Sequence, residues 1–207
     1  MNKNKKINFI DINKINIRGD VKFGSNVQVD INVIFEGSVI IGDNVKIDAN
    51  CIIKNSKIGN DTEILPFTSI QNSEVGSNCK IGPYANIRSE SKLKNNISIG
   101  NYVEIKKTII KKNTSINHLS FIGDAEIDEN VIIGAGTITC NHDGKKHNKT
   151  IIKKGSYIGS GCKLIAPIIV GSNSIVGSGS VITRNTPENK LSISRSRQRV
   201  LKRWIKK

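Results

Sequence analysis

Aromatic side chains are scarce in this sequence, at 4% of 207 residues, which excludes a core built around many large rings. Long apolar runs are missing as well. No stretch approaches the roughly 20 consecutive apolar residues of a membrane-spanning helix, and the basic start MNKNKK leads into no apolar run of signal-peptide length. We therefore expect a cytoplasmic protein without a membrane span.

Paired cysteines and clustered metal ligands are also missing. The sequence has no C-x-x-C pair, and its four cysteines are far apart, at Cys51, Cys79, Cys140 and Cys162. His142 and His147 are five residues apart in a polar segment, which is poor evidence for a metal site. We expect reduced, mostly packed thiols and no metal.

Acidic residues are few compared with basic ones. The chain has 17 Asp and Glu against 32 Lys and Arg, a formal net charge of +15. An excess of this size suits a nucleic acid, an acidic membrane surface or a small ligand with several negative charges. A base-composition bias that enriches Lys, Asn and Ile would produce the same excess, so charge alone leaves the partner open.

A six-residue repeat is the dominant pattern. An apolar residue recurs every six positions, along Val29, Phe35, Ile41, Ile47 and Ile53 and again along Ile81, Ile87, Leu93, Ile99 and Ile105. Gly commonly follows it, which permits tight turns between short strands. This period predicts an all-β fold, a parallel β-helix in which three units form one coil and residues 17 or 18 apart stack.

Three regions break the repeat and set the predicted domain boundaries. Residues 1–18 form a polar N-terminal leader that lies loosely over the first coil, and residues 19–184 form the β-helix. A polar insertion at residues 140–150 protrudes from a corner of the coil, where loops on a rigid scaffold often carry function. Residues 185–207 form a basic C-terminal arm with helical character.

Stacking predicts a pair of cations on one face. If Ile87 and Ile105 lie on successive coils, then Arg88 and Lys106 lie one above the other, about 4.8 Å apart. An anion bound across the pair would relieve their repulsion, and the forked guanidinium suits phosphate. A solvated pair of charges is the alternative that spacing alone leaves open.

Stacking also predicts a column with one titratable group. The second residues after Ile116, Ile133, Ile158 and Val176 are His118, Ala135, Ser160 and Ser178. Three small side chains beside one histidine would leave a groove for an extended ligand next to a general base. A packed histidine is the alternative for His118 taken alone.

Five motifs in order carry a resemblance to a known family. The runs IGPYANIR, GNYVEIKK, NHLSFIGDAEI, IIGAGTITCN and PENKLSISRSRQ resemble the acetyltransferase domain of the bacterial bifunctional glucosamine-1-phosphate acetyltransferase/N-acetylglucosamine-1-phosphate uridyltransferase, the GlmU family, from about Asn16 to Arg199. The resemblance implies a left-handed β-helix and a homotrimer with sites between neighbouring β-helices. It also implies acetyl-CoA-dependent acetylation of glucosamine-1-phosphate, on the pathway to UDP-N-acetylglucosamine.

The resemblance also implies roles for individual residues. His118 corresponds to the base that deprotonates the substrate ammonium, and Asn141 to a residue near the thioester and the amine. The positions that bind the sugar phosphate correspond to Arg88, Glu104, Lys106, Phe121 and Ile132. The positions that line the coenzyme A groove correspond to Ala135, Asn141, His142, Ser160, Ser178 and Arg195.

Departures from the family pattern keep other functions open. Phe121 and Ile132 replace a Tyr and an Asn of the sugar pocket, which favours an acyltransferase for another amino sugar or a catalytically silent scaffold. The joint presence of four expected site residues argues against the silent scaffold: His118, Asn141, Arg88 and Lys106. Nucleic-acid binding by the basic tail is less favoured, because coenzyme A also carries phosphates and an adenine. No Gly-rich nucleotide-binding segment precedes the repeats, so we expect no uridyltransferase activity.

Overall fold

The computed structural model describes residues 6–200, which wind into a parallel β-helix. Successive coils pair in parallel, with Ile81 opposite Ile99 and Ile99 opposite Ile116. These steps of 18 and 17 residues confirm the predicted stacking. Each coil has three short strands, so the helix has three faces.

The strands on face 1 form one sheet, and those on faces 2 and 3 form a second, continuous sheet. Face 1 contains Ile7–Phe9, Val27–Val29, Lys46–Ile47, Glu63–Ile64, Lys80–Ile81, Ser98–Asn101, Ser115–His118, Ile132–Ile133, Tyr157–Ile158, Ile175–Val176 and Leu191–Ser192. The long strands Asn16–Phe23 and Ile34–Ile41 turn from face 2 onto face 3.

The remaining strands complete faces 2 and 3. Face 2 continues with Ile52–Lys54, Ser69–Gln71, Asn86–Arg88, Glu104–Lys106, Phe121–Gly123, Ile138–Cys140, Lys163–Ile165 and Val181–Ile182. Face 3 continues with Lys57–Ile58, Glu74–Val75, Lys92–Leu93, Ile109–Ile110, Ala125–Ile127, Thr150–Ile152 and Ile168–Val170. A 3₁₀ turn covers Ile12–Lys14.

The core is a stack of aliphatic side chains inside the coils. All ten inward positions predicted from the six-residue repeat are buried. A second inward row, which the repeat did not reveal, contains small polar residues. Most of their hydroxyls donate to backbone carbonyls, as Thr62 Oγ1 does to the Gly76 oxygen at 2.9 Å. Among the described residues, the buried hydroxyls of Thr68 and Thr150 have no hydrogen-bond partner.

Asparagines occupy the corner between faces 3 and 1. Asn96, Asn113 and Asn130 have φ near +58° to +59°, the left-handed region that Asn reaches more easily than other non-glycine residues. The amide of Asn96 donates to Asn113, and that of Asn113 to Asn130, at 2.9 and 3.0 Å. Part of the Asn content therefore has a structural role at the corners.

The predicted N-terminal leader is wrong for most of residues 1–18. Ile7–Phe9 pairs in register with Val27–Val29, and the next strand begins at Asn16. Phe9 packs edge-on against Phe23, which packs edge-on against Phe35. The polar composition hid this first coil because only alternate residues of a strand face inward. Residues 1–5 lie outside the described part of the chain.

The predicted C-terminal boundary also shifts. Thr186 bridges to Val170, and Leu191–Ser192 pairs with Ile175–Val176, so pairing continues past residue 184. The predicted helical character of the arm is wrong for residues 193–200, which contain no helix. The rest of the arm, residues 201–207, lies outside the described residues.

The predicted insertion is a short loop that leaves face 2 after Ile138–Cys140 and returns on face 3 at Thr150–Ile152. An antiparallel bridge between His142 and His147 closes it. The Asp143 carboxylate accepts the backbone N–H groups of Lys145 and Lys146, and the Lys146 N–H is the main cause that holds the pKa of Asp143 well below its usual range. Across residues 6–200, no helix has the length and apolarity to cross a bilayer.

Truncating one inward side chain tests the coil packing. Ile105 is fully buried, so Ile105→Ala should lower the free energy of unfolding by about 2–5 kcal/mol. Ile109, the next isoleucine along the chain and 40% exposed, is the matched control, and Ile109→Ala should lower the free energy of unfolding by under about 1 kcal/mol. Urea unfolding followed by circular dichroism gives both values, and equal losses would contradict this packing.

Candidate functional site

The predicted pair of cations is present on face 2. Arg88 lies directly opposite Lys106 in the register of Asn86–Arg88 against Glu104–Lys106. Arg88 Nε and Nη2 lie 2.7 and 2.6 Å from Glu104 Oε1, so Glu104 offsets one of the two charges. Among residues 6–200, Lys106 makes no ion pair, which leaves its ammonium available to an anion.

Phe121 and Asn141 lie on the same face as these cations. Glu104 pairs with Phe121, and Lys106 pairs with Gly123, on the next coil. A Cβ at Gly123 would lie 2.8 Å from the Phe121 ring and 2.8 Å from Asn141 Nδ2, so the absent side chain lets both groups approach. Face 2 therefore brings Asn141 together with four of the five residues expected to contact the sugar phosphate, namely Arg88, Glu104, Lys106 and Phe121.

Two residues that the sequence analysis missed hold Asn141 in place. The Asp124 carboxylate accepts a hydrogen bond from Asn141 Nδ2 and lies 3.0 Å from His147 Nδ1. Asn141 is only 7% exposed, and its Nδ2 also lies 3.5 Å from His147 Nδ1. Its carbonyl oxygen is thereby left to accept from a ligand. The 17-residue spacing of Asp124 and Asn141 was the available signal.

The predicted column from His118 to Ser178 lies along the corner between faces 1 and 2. The His118 carbonyl accepts the Gly136 N–H at 3.2 Å, the Ala135 carbonyl accepts that of Gly161 at 2.7 Å, and the Ser160 carbonyl accepts that of Gly179 at 2.8 Å. These three glycines have φ near +72°. With no side chains on them, the corner forms a groove beside Ala135, Ser160 and Ser178.

His118 is exposed at one end of this groove. Its Nδ1 lies 2.7 Å from Asn101 Oδ1, one coil below. Because an amide oxygen accepts, Nδ1 carries the proton and Nε2 is left free to act as a base. The sequence analysis did not identify Asn101 as a site residue. Its 17-residue spacing from His118 nevertheless places it in the same column, by the stacking rule that predicted the groove.

The remaining predicted residues, Arg195, Ile132 and His142, lie in three different places. The Arg195 side chain passes over Gly179, with Cδ 4.0 Å from the position of a Cβ there, at the corner of the groove. Ile132 is exposed on face 1. His142, however, lies on the inserted loop at the far end of face 2, separated from Ala135 by the strand Ile138–Cys140, roughly 10 Å long.

Cys140 has the environment of a packed thiol. Burial raises the pKa of this half-buried cysteine above its ordinary value, and burial raises the pKa of Cys51 to about 12. A thiol that resists deprotonation is a poor nucleophile. Cys140 therefore has no sign of being a nucleophile. Cys51, Cys79 and Cys162 are buried, which confirms the packed thiols.

Two family models match the chain. The model of the GMPPB C-terminal domain matches residues 17–119, and that of the bacterial transferase hexapeptide, with six repeats, matches residues 149–184. Both matches lie within the β-helix, and the second confirms the hexapeptide repeat.

Curated relatives named bifunctional protein GlmU are similar over nearly the whole chain. The relative from Wigglesworthia glossinidia brevipalpis is 50% identical over 91% of this chain and 41% of its own length. The relative from Neisseria meningitidis is 47% identical over 93% and 42%, and that from Thermosipho africanus 44% identical over 96% and 44%. The chain thus spans less than half the length of these relatives, and the matches confirm the resemblance to the GlmU C-terminal region.

Solved structures of acyltransferases share the fold. A UDP-N-acetylglucosamine acyltransferase from Arabidopsis matches with a TM-score of 0.76 and 18% identity, over 86% of this chain and 69% of that one. That from Francisella novicida has a TM-score of 0.51 and 17% identity, over 83% and 66%. These likenesses concern the fold alone and confirm a left-handed parallel β-helix.

Removing Asn101 tests the orientation of His118. In Asn101→Ala, Nδ1 loses its acceptor, so the imidazole should shift from the Nδ1–H tautomer toward the Nε2–H form, measured by ¹⁵N NMR of the ring nitrogens. Asn117→Ala is the control, because Asn117 bonds to Ser98 and Ser115 rather than to the ring. An unchanged tautomer in Asn101→Ala would show that this contact does not orient the base.

Proposed function

Because this chain is a homologue of the C-terminal region of the bifunctional GlmU proteins, we propose that it transfers the acetyl group of acetyl-CoA to the amine of glucosamine-1-phosphate. The product is N-acetylglucosamine-1-phosphate, and the reaction takes place in the cytoplasm. The observation that carries the proposal is His118 with its Nδ1 held by Asn101, at the end of a groove and one strand away from Arg88 and Lys106.

His118 acts as the general base. The substrate ammonium gives a proton to Nε2, and the free amine attacks the thioester carbonyl carbon. The C–N bond forms, the C–S bond breaks, and coenzyme A leaves as the thiol after protonation. The carbonyl oxygen of Asn141 accepts an N–H of the amine, since its Nδ2 is held by Asp124. Proton removal by a placed histidine contributes roughly 10²–10⁴-fold.

Arg88 and Lys106 bind the phosphate of the sugar. Their stacked positions place two cationic groups on one side of face 2, and the pairing of Arg88 with Glu104 fixes the direction of the guanidinium. Acetyl-CoA lies along the corner groove beside Ala135, Ser160 and Ser178, with Arg195 near its phosphates. No step of this reaction requires a metal ion.

We also propose a homotrimer. Its support is that residues expected at one coenzyme site lie at both ends of face 2, with Ala135 at one corner and Asn141 and His142 at the other. In an oligomer, Asn141 and His142 of one copy could lie opposite Ala135 of its neighbour and so complete one coenzyme site. A trimer of this kind makes each site a joint product of two chains.

A second amino sugar remains an alternative substrate, because Phe121 and Ile132 present apolar groups to the expected sugar pocket. Ile132 is 52% exposed on face 1, so its side chain is free to contact a ligand. An amino sugar with a less polar substituent facing Phe121 or Ile132 would leave fewer polar groups unpaired, and it would therefore lose less binding free energy in this pocket.

A coupled thiol-release assay tests the proposal. With acetyl-CoA and purified protein, we expect turnover with glucosamine-1-phosphate and little with glucosamine, which lacks the phosphate. His118→Ala should fold normally and lose roughly 10²–10⁴-fold in kcat. Near-normal turnover in this variant would exclude His118 as the base, and turnover with another amino sugar alone would favour the alternative.

Restoring a polar group at Phe121 tests the identity of the sugar. Phe121 is half-buried and its ring edge lies over Gly123, which has no side chain, so Phe121→Tyr should fold with little strain. If the hydroxyl bonds to glucosamine-1-phosphate, KM should fall by about two- to tenfold with kcat nearly unchanged. Ile138→Val, on the next coil of the same column, is the control. A rise in KM would indicate a pocket shaped for a different sugar.

A further inference from the structure

The inserted loop brings two histidines side by side. His142 and His147 lie directly opposite each other in its antiparallel bridge. The Asn148 N–H donates to the Asn141 carbonyl at 2.7 Å, and a second backbone bond lies on the other side of the pair. Because these bonds flank the two histidines and do not join them, the pair is of the kind whose side chains approach most closely. Both imidazoles therefore lie on one side of the loop.

The separation of the two rings fits one bound metal ion. The centroids of His142 and His147 are 4.9 Å apart, and the ring planes are tilted by 60°. A tetrahedral ion about 2.0–2.1 Å from one nitrogen of each ring would hold the ring centres about 5 Å apart. Among residues 6–200, no three His, Cys, Asp or Glu side chains are placed to hold an ion together. The pair therefore supplies two ligands, and water completes the coordination at this exposed position.

Asp124 prepares His147 to bind a metal. Its Oδ2 lies 3.0 Å from His147 Nδ1, so Nδ1 carries the proton and Nε2 presents its lone pair. A histidine that binds a metal commonly donates its other ring N–H to a carboxylate, which fixes the tautomer and makes the ring a stronger ligand. The Asp124 side chain is largely buried, whereas the His147 side chain is 48% exposed. The ring is thus anchored at one edge and still accessible to an ion.

His142 needs one change before it can join His147. Its Nδ1 accepts the Gly144 N–H at 3.2 Å, so the neutral ring carries its proton on Nε2 in this arrangement. The contact is exposed, and water can replace it, which leaves the ring free to offer a nitrogen to the ion. The loop backbone can stay as it is, because the Asp143 carboxylate holds the N–H groups of Lys145 and Lys146.

We propose that His142 and His147 bind a divalent ion of the zinc, copper or nickel class, for which imidazole nitrogen is a suitable ligand. Because the proposed acetyl transfer needs no metal, the ion acts as a regulator and not as a cofactor. It fixes His147 against Asp124 and occupies His142, a residue expected to line the coenzyme A groove. Bound metal should therefore raise KM for acetyl-CoA. This effect rests on the proposed function, whereas the metal site itself does not.

Titration of the whole chain with zinc tests the site directly. The sequence has three histidines, so ¹⁵N NMR of the ring nitrogens should show His142 and His147 shifting at zinc concentrations that leave His118 unchanged. Calorimetry should give one ion per chain. His142→Ala or His147→Ala should weaken binding by roughly 10- to 100-fold, because a single imidazole has no second ligand held nearby. Cys140→Ser is the matched control for the half-buried thiol of the same segment and should bind zinc as the wild type does.

The carboxylate behind His147 is tested in the same titration. Asp124→Asn keeps the size of the side chain and removes its charge, so zinc binding should weaken by roughly 10- to 100-fold. Unchanged affinity in this variant would overturn the role given to Asp124. Ring signals of His142 and His147 that do not move with zinc, or alanine variants that bind as tightly as the wild type, would overturn the metal site.

Kinetics separate the metal site from the proposed function. Initial rates are followed by the loss of thioester absorbance, because zinc would bind the free thiol of the product. Saturating zinc should raise KM for acetyl-CoA by roughly fivefold or more, and a chelator should restore it, whereas the same zinc should leave the KM of His142→Ala nearly unchanged. A wild type that binds zinc through both histidines but acetylates no amino sugar would remove the function and leave the site standing. Turnover with the same KM at saturating zinc would overturn the regulatory effect alone.

Discussion

Backbone hydrogen bonds between successive coils are the constraint on which the rest of this structure depends. Each coil donates N–H groups to carbonyls of its neighbour, as Gly136 does to His118, and these bonds keep the coils in register. A buried backbone group without a partner is costly, so a coil cannot slip by one residue without turning its apolar set outward. Register then decides which side chains share a column, and columns form the candidate site.

The same constraint explains how much the amino-acid sequence predicted. Once the six-residue period was clear, the stack of Arg88 on Lys106 and the column through His118, Ala135 and Ser160 followed from counting, and the structure has both. The period became unreadable at the ends of the helix. There a coil has a neighbour on one side only, and Ile7 or Leu191 can remain partly exposed without a large loss, so fewer apolar residues mark the repeat.

Hydrogen bonds between side chains were harder to predict than stacking. Spacing places Asn101 below His118 and Asp124 below Asn141, but it does not say which rotamer each adopts. Those rotamers decide that His118 exposes Nε2 and that Asn141 is anchored through its nitrogen. The division of the candidate residues between two corners was equally hidden. It depends on which residues turn the corner, and the strand Ile138–Cys140 separates His142 from Ala135.

The coil-by-coil register has a consequence for how molecules of this kind vary in size. Each coil contacts little beyond the coils directly above and below it, and the candidate site occupies a few coils in the middle and upper part of the stack. A whole coil of 17 or 18 residues inserted or removed near Val29 would change the height of the prism and leave the chemistry untouched. A single residue inserted within the strand Glu104–Lys106 would turn the following side chains of that strand to the wrong side, whereas the corners absorb such changes, as the steps of 17 and 18 residues show. The number of coils and the length of the corners are therefore adjustable in this scaffold, and the alternation of side chains within each strand is not.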